Sequence, residues 1–190
     1  MPPIADCRVL IVATDGFEES ELFGPREILM ERGAEVVLAS LSLAPIQATV
    51  HDDPGKTIRP DLTVHQARAE DFDALVLPGG VRNPDQLRLH GNVIALIRDF
   101  AQLGKPIAAI CHGPWLLVEA DLLRDRSATS WPSIRTDLRN AGATVVDEAA
   151  VTDGNIVTSR KPEDVEAFTE ALIALVNGAP AIARPSTEPA

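Results

Sequence analysis

Tyrosine is missing from this 190-residue chain, and only five phenylalanines and two tryptophans supply its aromatic rings. That leaves little material for the stacking platforms on which single strands bind. An excess of basic residues is missing as well: 17 Lys and Arg stand against 28 Asp and Glu, for a formal net charge of −11. Nothing in that balance offsets repulsion from a phosphate backbone, so nucleic acid is disfavoured as a main partner. Two cysteines cannot form a disulfide framework. The uninterrupted apolar runs, such as Val9-Leu10-Ile11-Val12-Ala13, are far too short to span a bilayer, so no membrane partner is expected. The opening residues lack the basic and apolar regions of a secretory signal. The expectation is a cytoplasmic protein whose thiols stay reduced unless one is there to react. No Cys/His spacing suits zinc, and neither GxGxxG nor GxxxxGK occurs, so no metal or cofactor is expected.

What is present is an alternation of strands and helices. Val9-Leu10-Ile11-Val12-Ala13 is a continuous apolar, β-branched run, the pattern of a parallel strand buried on both faces. Similar strands are predicted at 34–41, 73–77 and 106–110, with shorter ones near 128–129, 145–146, 149–152 and 156–159. Helical spacing covers 18–32, 84–89, 92–103, 115–122, 133–140 and 162–176, and Pro25 predicts a break near Gly24-Pro25. Residues 42–60 read as a small hairpin excursion, and Asp153-Gly154-Asn155 as a hairpin turn. The prediction is one doubly wound α/β domain over residues 7–177, with 178–190 as a frayed tail. Such sheets bind ligands beyond the carboxyl ends of their strands. Three turns therefore meet there: Asp15-Gly16-Phe17-Glu18, Pro78-Gly79-Gly80 and Cys111-His112-Gly113.

Cys111 stands where a strand ends and a helix begins, with Ala109 and Gly113 two residues to either side. A nucleophile elbow needs small residues at those places, and the following helix N-terminus would favour the thiolate. The competing reading is a buried thiol acting as a small hydrophobe. His112 is the candidate base or ion-pair partner, although neighbours on an elbow need not point the same way. His51, His65 and His90 read as surface residues. Glu18 fits either a capping box with Asp15 or a carboxyl beside Cys111 that moves a proton. Glu19 and Glu21 read as solvated charges. The amides of Gly80 and His112 are candidates for an oxyanion hole. Trp115 and Trp131 read as core, while Asp137, Arg139, Ser159 and Arg160 are placed near the pocket edge or a subunit contact.

With these residues the chain resembles the DJ-1/PfpI superfamily, in its PfpI-like intracellular protease and general stress protein branch. The resemblance is carried by Phe17-Glu18-Glu19-Ser20-Glu21-Leu22, by Phe72-Asp73-Ala74-Leu75-Val76-Leu77-Pro78-Gly79-Gly80, and by 104–114 with its Cys111-His112-Gly113 elbow. The segments 140–143 and 157–164 also match. It implies a flavodoxin-like three-layer sandwich with a mostly parallel sheet, Cys111 as nucleophile and Glu18 as its carboxyl neighbour. In protease-like members the histidine at His112 pairs with an acid from a neighbouring subunit, which here falls on Asp85. A homodimer or larger ring is implied. The activities implied are action on small dicarbonyls or glycated proteins (glyoxalase or deglycase) or peptide hydrolysis; a reactive thiol beside an acid also suits a stress protein whose Cys111 is oxidised. Class I glutamine amidotransferase domains share the elbow but need a later histidine, and none follows His112.

Overall fold

The apolar runs form strands and the 3.6-period stretches form helices, in the order the alternation predicts. The computed structural model describes residues 2–178, so the predicted tail lies, from 179 onward, outside the described residues. In chain order the elements are β1 (Arg8–Val12), β2 (Phe17–Glu18), α1 (Glu19–Glu31), β3 (Glu35–Ser40), β4 (Ile46–Val50), β5 (Asp53–Ile58), β6 (Leu62–Thr63) and β7 (Ala74–Leu77). They continue with α2 (Arg82–Leu87), α3 (Gly91–Gln102), β8 (Ile107–Ile110), α4 (Pro114–Glu119), β9 (Ser127–Ala128), α5 (Arg135–Asn140), β10 (Thr144–Val145), β11 (Ala150–Asp153), β12 (Ile156–Ser159) and α6 (Val165–Val176).

Seven strands form the central sheet in the order β11-β12-β8-β7-β1-β3-β6. All neighbours are parallel except β11 and β12, which are joined by the predicted hairpin turn. Alternation with period 2 sorts the side chains. Leu10, Val12, Leu75, Leu77, Ile107 and Ala109 enter one core, with α2, α3, α4 and α5 over them. Val9, Ile11, Ala74, Val76, Ala108 and Ile110 enter the other, under α1 and α6. This is the flavodoxin-like three-layer arrangement: both sheet faces are covered, which is why its strands read as unbroken apolar runs. On α3, Val93, Ile94, Ile97 and Phe100 form the buried stripe. Truncating Phe100, which is fully buried, would cost about 3–5 kcal/mol.

Two local expectations are corrected. Pro25 does not break α1, which runs through it from Glu19 to Glu31. The missing amide removes one intrahelical bond, and packing against α6 holds the helix across the gap. Gly24 makes that contact possible, since a Cβ there would lie 2.7 Å from Val165 Cγ1. The capping box does not form either. Helix α1 starts after an extended Glu18, and Asp15 instead accepts the Gln47 amide through Oδ1 at 2.8 Å. That bond and the β2–β4 pairing hold the β4–β5 hairpin beside the carboxyl ends of the strands.

Candidate active site

Strand β8 ends in a turn that forces the backbone of Cys111 into the left-handed region, φ +63°. For a residue with a Cβ this stores about 1–3 kcal/mol of strain. Hydrogen bonds hold it there: Cys111 N–H donates to Ser159 O at 3.0 Å, Gly113 N–H to Ile110 O at 2.8 Å and Trp131 N–H to Cys111 O at 2.9 Å. Glycine is required at 113, where a Cβ would lie 2.5 Å from Leu77 O. The Gly79–Gly80 turn packs against the same elbow. A Cβ at Gly79 would meet Cys111 Cβ at 2.6 Å, and one at Gly80 would lie 2.2 Å from Gly16 O. The N–H groups of Gly80 and His112 therefore face the sulfur and lower its pKa, but they do not prevail. Burial pushes the thiol well above its ordinary value, reinforced by the hydrogen bond with the Glu21 carboxyl and, once that carboxyl ionises, by its charge. The resting form is the thiol, contrary to the thiolate expected from the helix N-terminus: desolvation outweighs the partial charge.

The carboxyl beside Cys111 belongs to Glu21, not Glu18. Extended Glu18 pairs with Thr49 and turns its side chain to the hairpin, where Oε2 accepts the His51 amide at 3.0 Å. Glu21, in the first turn of α1, reaches back to the strand ends and is fully buried. Its Oε2 accepts the Gly79 N–H at 2.9 Å, and its carboxyl shares a hydrogen bond with the thiol. Burial raises its pKa to about 8, so it is protonated at neutral pH. Burial raises the pKa of Glu18 too. Both carboxyls line one cavity of about 480 Å³, with His51, Asp52, Gly80, Cys111, His112, Trp131 and Lys161 among its walls.

The His112 ring does point to the thiol, with Nδ1 3.3 Å from Cys111 Sγ. Trp115 meets it edge-on at 5.3 Å and Trp131 stacks at 5.9 Å, so neither tryptophan is merely core. Burial lowers its pKa to about 4, leaving it a neutral base rather than an ion-pair partner. The distal Nε2 faces Ser133 Oγ at 3.3 Å. Asp85 is exposed on α2 and is not among the cavity residues.

Comparison with known proteins shows the family. The profile of the DJ-1/PfpI family matches residues 7–175. The chain belongs to the DJ-1/PfpI family. It is similar to a deglycase of Pyrococcus horikoshii, 41% identical over 169 residues that cover 89% of this chain and 99% of the relative. It is similar also to protein/nucleic acid deglycase 2 of Escherichia coli, 36% identical over 179 residues, covering 89% and 97% of the two chains. Among solved structures, Drosophila melanogaster DJ-1beta superposes with a TM-score of 0.83 at 30% identity, over 91% of each chain.

Within this DJ-1/PfpI chain, two residues that support the site escaped sequence reasoning. Glu21 sits at helical spacing beside Glu19 and reads as surface. Asn83 is fully buried in α2 and bridges two of the three turns. Its Oδ1 accepts Thr14 N–H at 2.8 Å, while Nδ2 donates to Pro78 O at 2.9 Å and Gly79 O at 3.1 Å. It holds the glycine turn at the thiol. A polar residue three positions after Gly-Gly was the available signal. Arg160, considered at the pocket edge, is engaged by Asp164 and Asp147. Asp137 accepts the Trp115 indole N–H at 2.7 Å. Ser159 holds the elbow through its carbonyl. Among the described residues no group of acids, histidines and cysteines is arranged to hold a metal, and no helix is long and apolar enough to cross a membrane.

Proposed function

We propose that the protein is a cysteine-dependent enzyme acting on reactive 1,2-dicarbonyls or the adducts they form on amines and thiols, in the manner the deglycase names of its relatives suggest. The supporting observation is one sulfur surrounded by a base, an acid and two amide donors: His112 Nδ1, the protonated Glu21 carboxyl, and the N–H groups of Gly80 and His112. The cavity suits a small electrophile.

The Cys111 thiol gives its proton to His112 Nδ1, and the sulfur adds to the aldehyde carbon. The C=O electron pair moves to oxygen, where the two amides hold the charge. Proton return from the imidazolium completes a hemithioacetal. The proton on that carbon then shifts to the adjacent carbon through an enediol, carried by His112 and Glu21, and leaves a thioester. Water hydrolyses the thioester to a 2-hydroxy acid and restores the thiol. The sum is dicarbonyl plus water, and no oxidant or cofactor enters. For an amine adduct the C–N bond breaks as C–S forms, and the His112 proton goes to the leaving nitrogen.

Peptide hydrolysis with Asp85 of a neighbouring subunit as third member is the second reading, and the relatives called deglycases favour the dicarbonyl reading over it. The test is methylglyoxal consumption by wild type, Cys111→Ala and Glu21→Gln. Wild-type turnover with loss in Cys111→Ala supports the reading; equal background rates in all three overturn it.

A further inference from the structure

The contact between His112 Nε2 and Ser133 takes no part in the proposed reaction steps. A neutral imidazole carries one N–H, and its position decides what the other nitrogen can do. With the hydrogen on Nδ1, the nitrogen facing Cys111 has no lone pair for the thiol proton. With the hydrogen on Nε2, Nδ1 is free to act as base. We propose that Ser133 is a positioning residue that selects the second form, its Oγ accepting the Nε2–H of His112 from within the same chain.

Several observations converge on this assignment. The two ring nitrogens lie 3.3 Å from Sγ and 3.3 Å from the serine oxygen, so one ring orientation serves both contacts. Trp115 and Trp131 limit rotation of the ring. Ser133 lies in the short 3-10 turn Pro132–Ile134, just after Trp131, whose amide is tied to Cys111 O at 2.9 Å. The elbow backbone therefore sets the distance between Oγ and the ring. Ser133 is exposed, which lets solvent take the hydroxyl hydrogen while the oxygen lone pairs remain for Nε2–H. Burial favours the neutral ring, the state in which tautomer choice matters. When the S–H bond breaks and the Nδ1–H bond forms, Nε2–H becomes part of an imidazolium and its bond to Oγ strengthens.

The catalytic consequence rests on the proposed Cys111 chemistry, whereas the tautomer itself is observable without any substrate. The experiment is long-range 1H–15N correlation on the full chain with 15N-labelled histidine at neutral pH, alongside steady-state methylglyoxal kinetics. Wild type and Ser133→Thr are expected to show His112 as the Nε2–H form. Ser133→Ala is expected to show a shift toward Nδ1–H and a kcat lower by roughly tenfold, with KM within about twofold. An unchanged Nε2–H signal in Ser133→Ala overturns the proposal. So does failure of Ser133→Thr, with a wild-type spectrum elsewhere, to keep that form. A tautomer shift in a protein that consumes no methylglyoxal would uphold the assignment and overturn the dicarbonyl reading. Alanine at this exposed position leaves the core intact, so a folding defect does not obscure the result.

Discussion

Cys7 and Cys111 are both buried, both free and both held above the ordinary thiol pKa by desolvation, yet only Cys111 has a histidine ring, a buried carboxyl and backbone N–H groups at its sulfur. They lie at opposite edges of the parallel sheet, Cys7 before the start of β1 and Cys111 after the end of β8. Cys7 Sγ donates to the carbonyls of Pro2 and Pro3, each at 3.4 Å, which stabilises the S–H form. Burial, then the charges of Asp73 and Asp6, raise its pKa to about 11. Cys111 instead faces two N–H donors, from Gly80 and His112, which lower its pKa, and a neutral imidazole placed to take its proton, while the Glu21 carboxyl works with burial to raise it. Burial by itself does not distinguish a structural thiol from a nucleophile. The sign of the surrounding dipoles does, and on a parallel sheet the carboxyl ends of the strands supply the turns that aim N–H groups inward.

The most direct way to break this comparison is to remove each thiol in turn. Cys111→Ala should lower methylglyoxal consumption by at least about 10³-fold, and Cys7→Ala should leave it within about twofold. A second contrast sets the two glutamates against each other. Glu21→Gln should cost about 10²-fold in turnover, since the amide cannot exchange the proton, while Glu18→Gln should cost about threefold or less. Comparable losses in both variants would show that the pocket-wide charge matters rather than the carboxyl at the sulfur.

The pH dependence sharpens the same point. Turnover needs His112 neutral and Glu21 protonated, so kcat should hold between pH about 4 and about 8 and fall outside it. Glu21→Gln should lack the alkaline limb. Stability carries the matching signature. The folded pKa of Glu21 lies above its ordinary value of 4.5, so its contribution is fully present below pH 4.5 and is lost as pH rises through about 8. Thermal unfolding of Glu21→Gln against wild type should show the variant gaining relative stability across that window, by up to about 5 kcal/mol. His112 acts with the opposite sign: its folded pKa is depressed from 6.5, so its contribution is present above 6.5 and is lost as pH falls through about 4. The smallest expected effect is at Asp85, where Asp85→Asn should change dicarbonyl turnover by less than about twofold, because the proposed steps are carried by Cys111, His112, Glu21 and the two amides.

Much of the fold was legible because period and punctuation agree. Unbroken β-branched runs can only be buried on both faces, and the β8 run ending in Cys-His-Gly marks an elbow through the small residues that a tight turn demands. The amides of Gly80 and His112 were legible for the same reason. The identity of the acid was not. Glu18 and Glu21 are one helical turn apart and chemically alike, and which one meets the sulfur depends on where α1 begins. That boundary is decided by Glu18 pairing with Thr49 of the hairpin, a contact between distant segments. Pro25 misled for a related reason: its local cost is real, and packing of α1 on α6 outweighs it.

Sequence alone therefore determined the strand–helix alternation, the three turns at one sheet edge, and the thiol at the tightest of them, since these depend on short-range steric rules. Tertiary structure decided which carboxyl is buried, that burial keeps the thiol protonated and the imidazole neutral, and that Ser133 faces the far side of the ring. Those outcomes depend on desolvation and on atoms brought together from distant parts of the chain, quantities that no local pattern encodes.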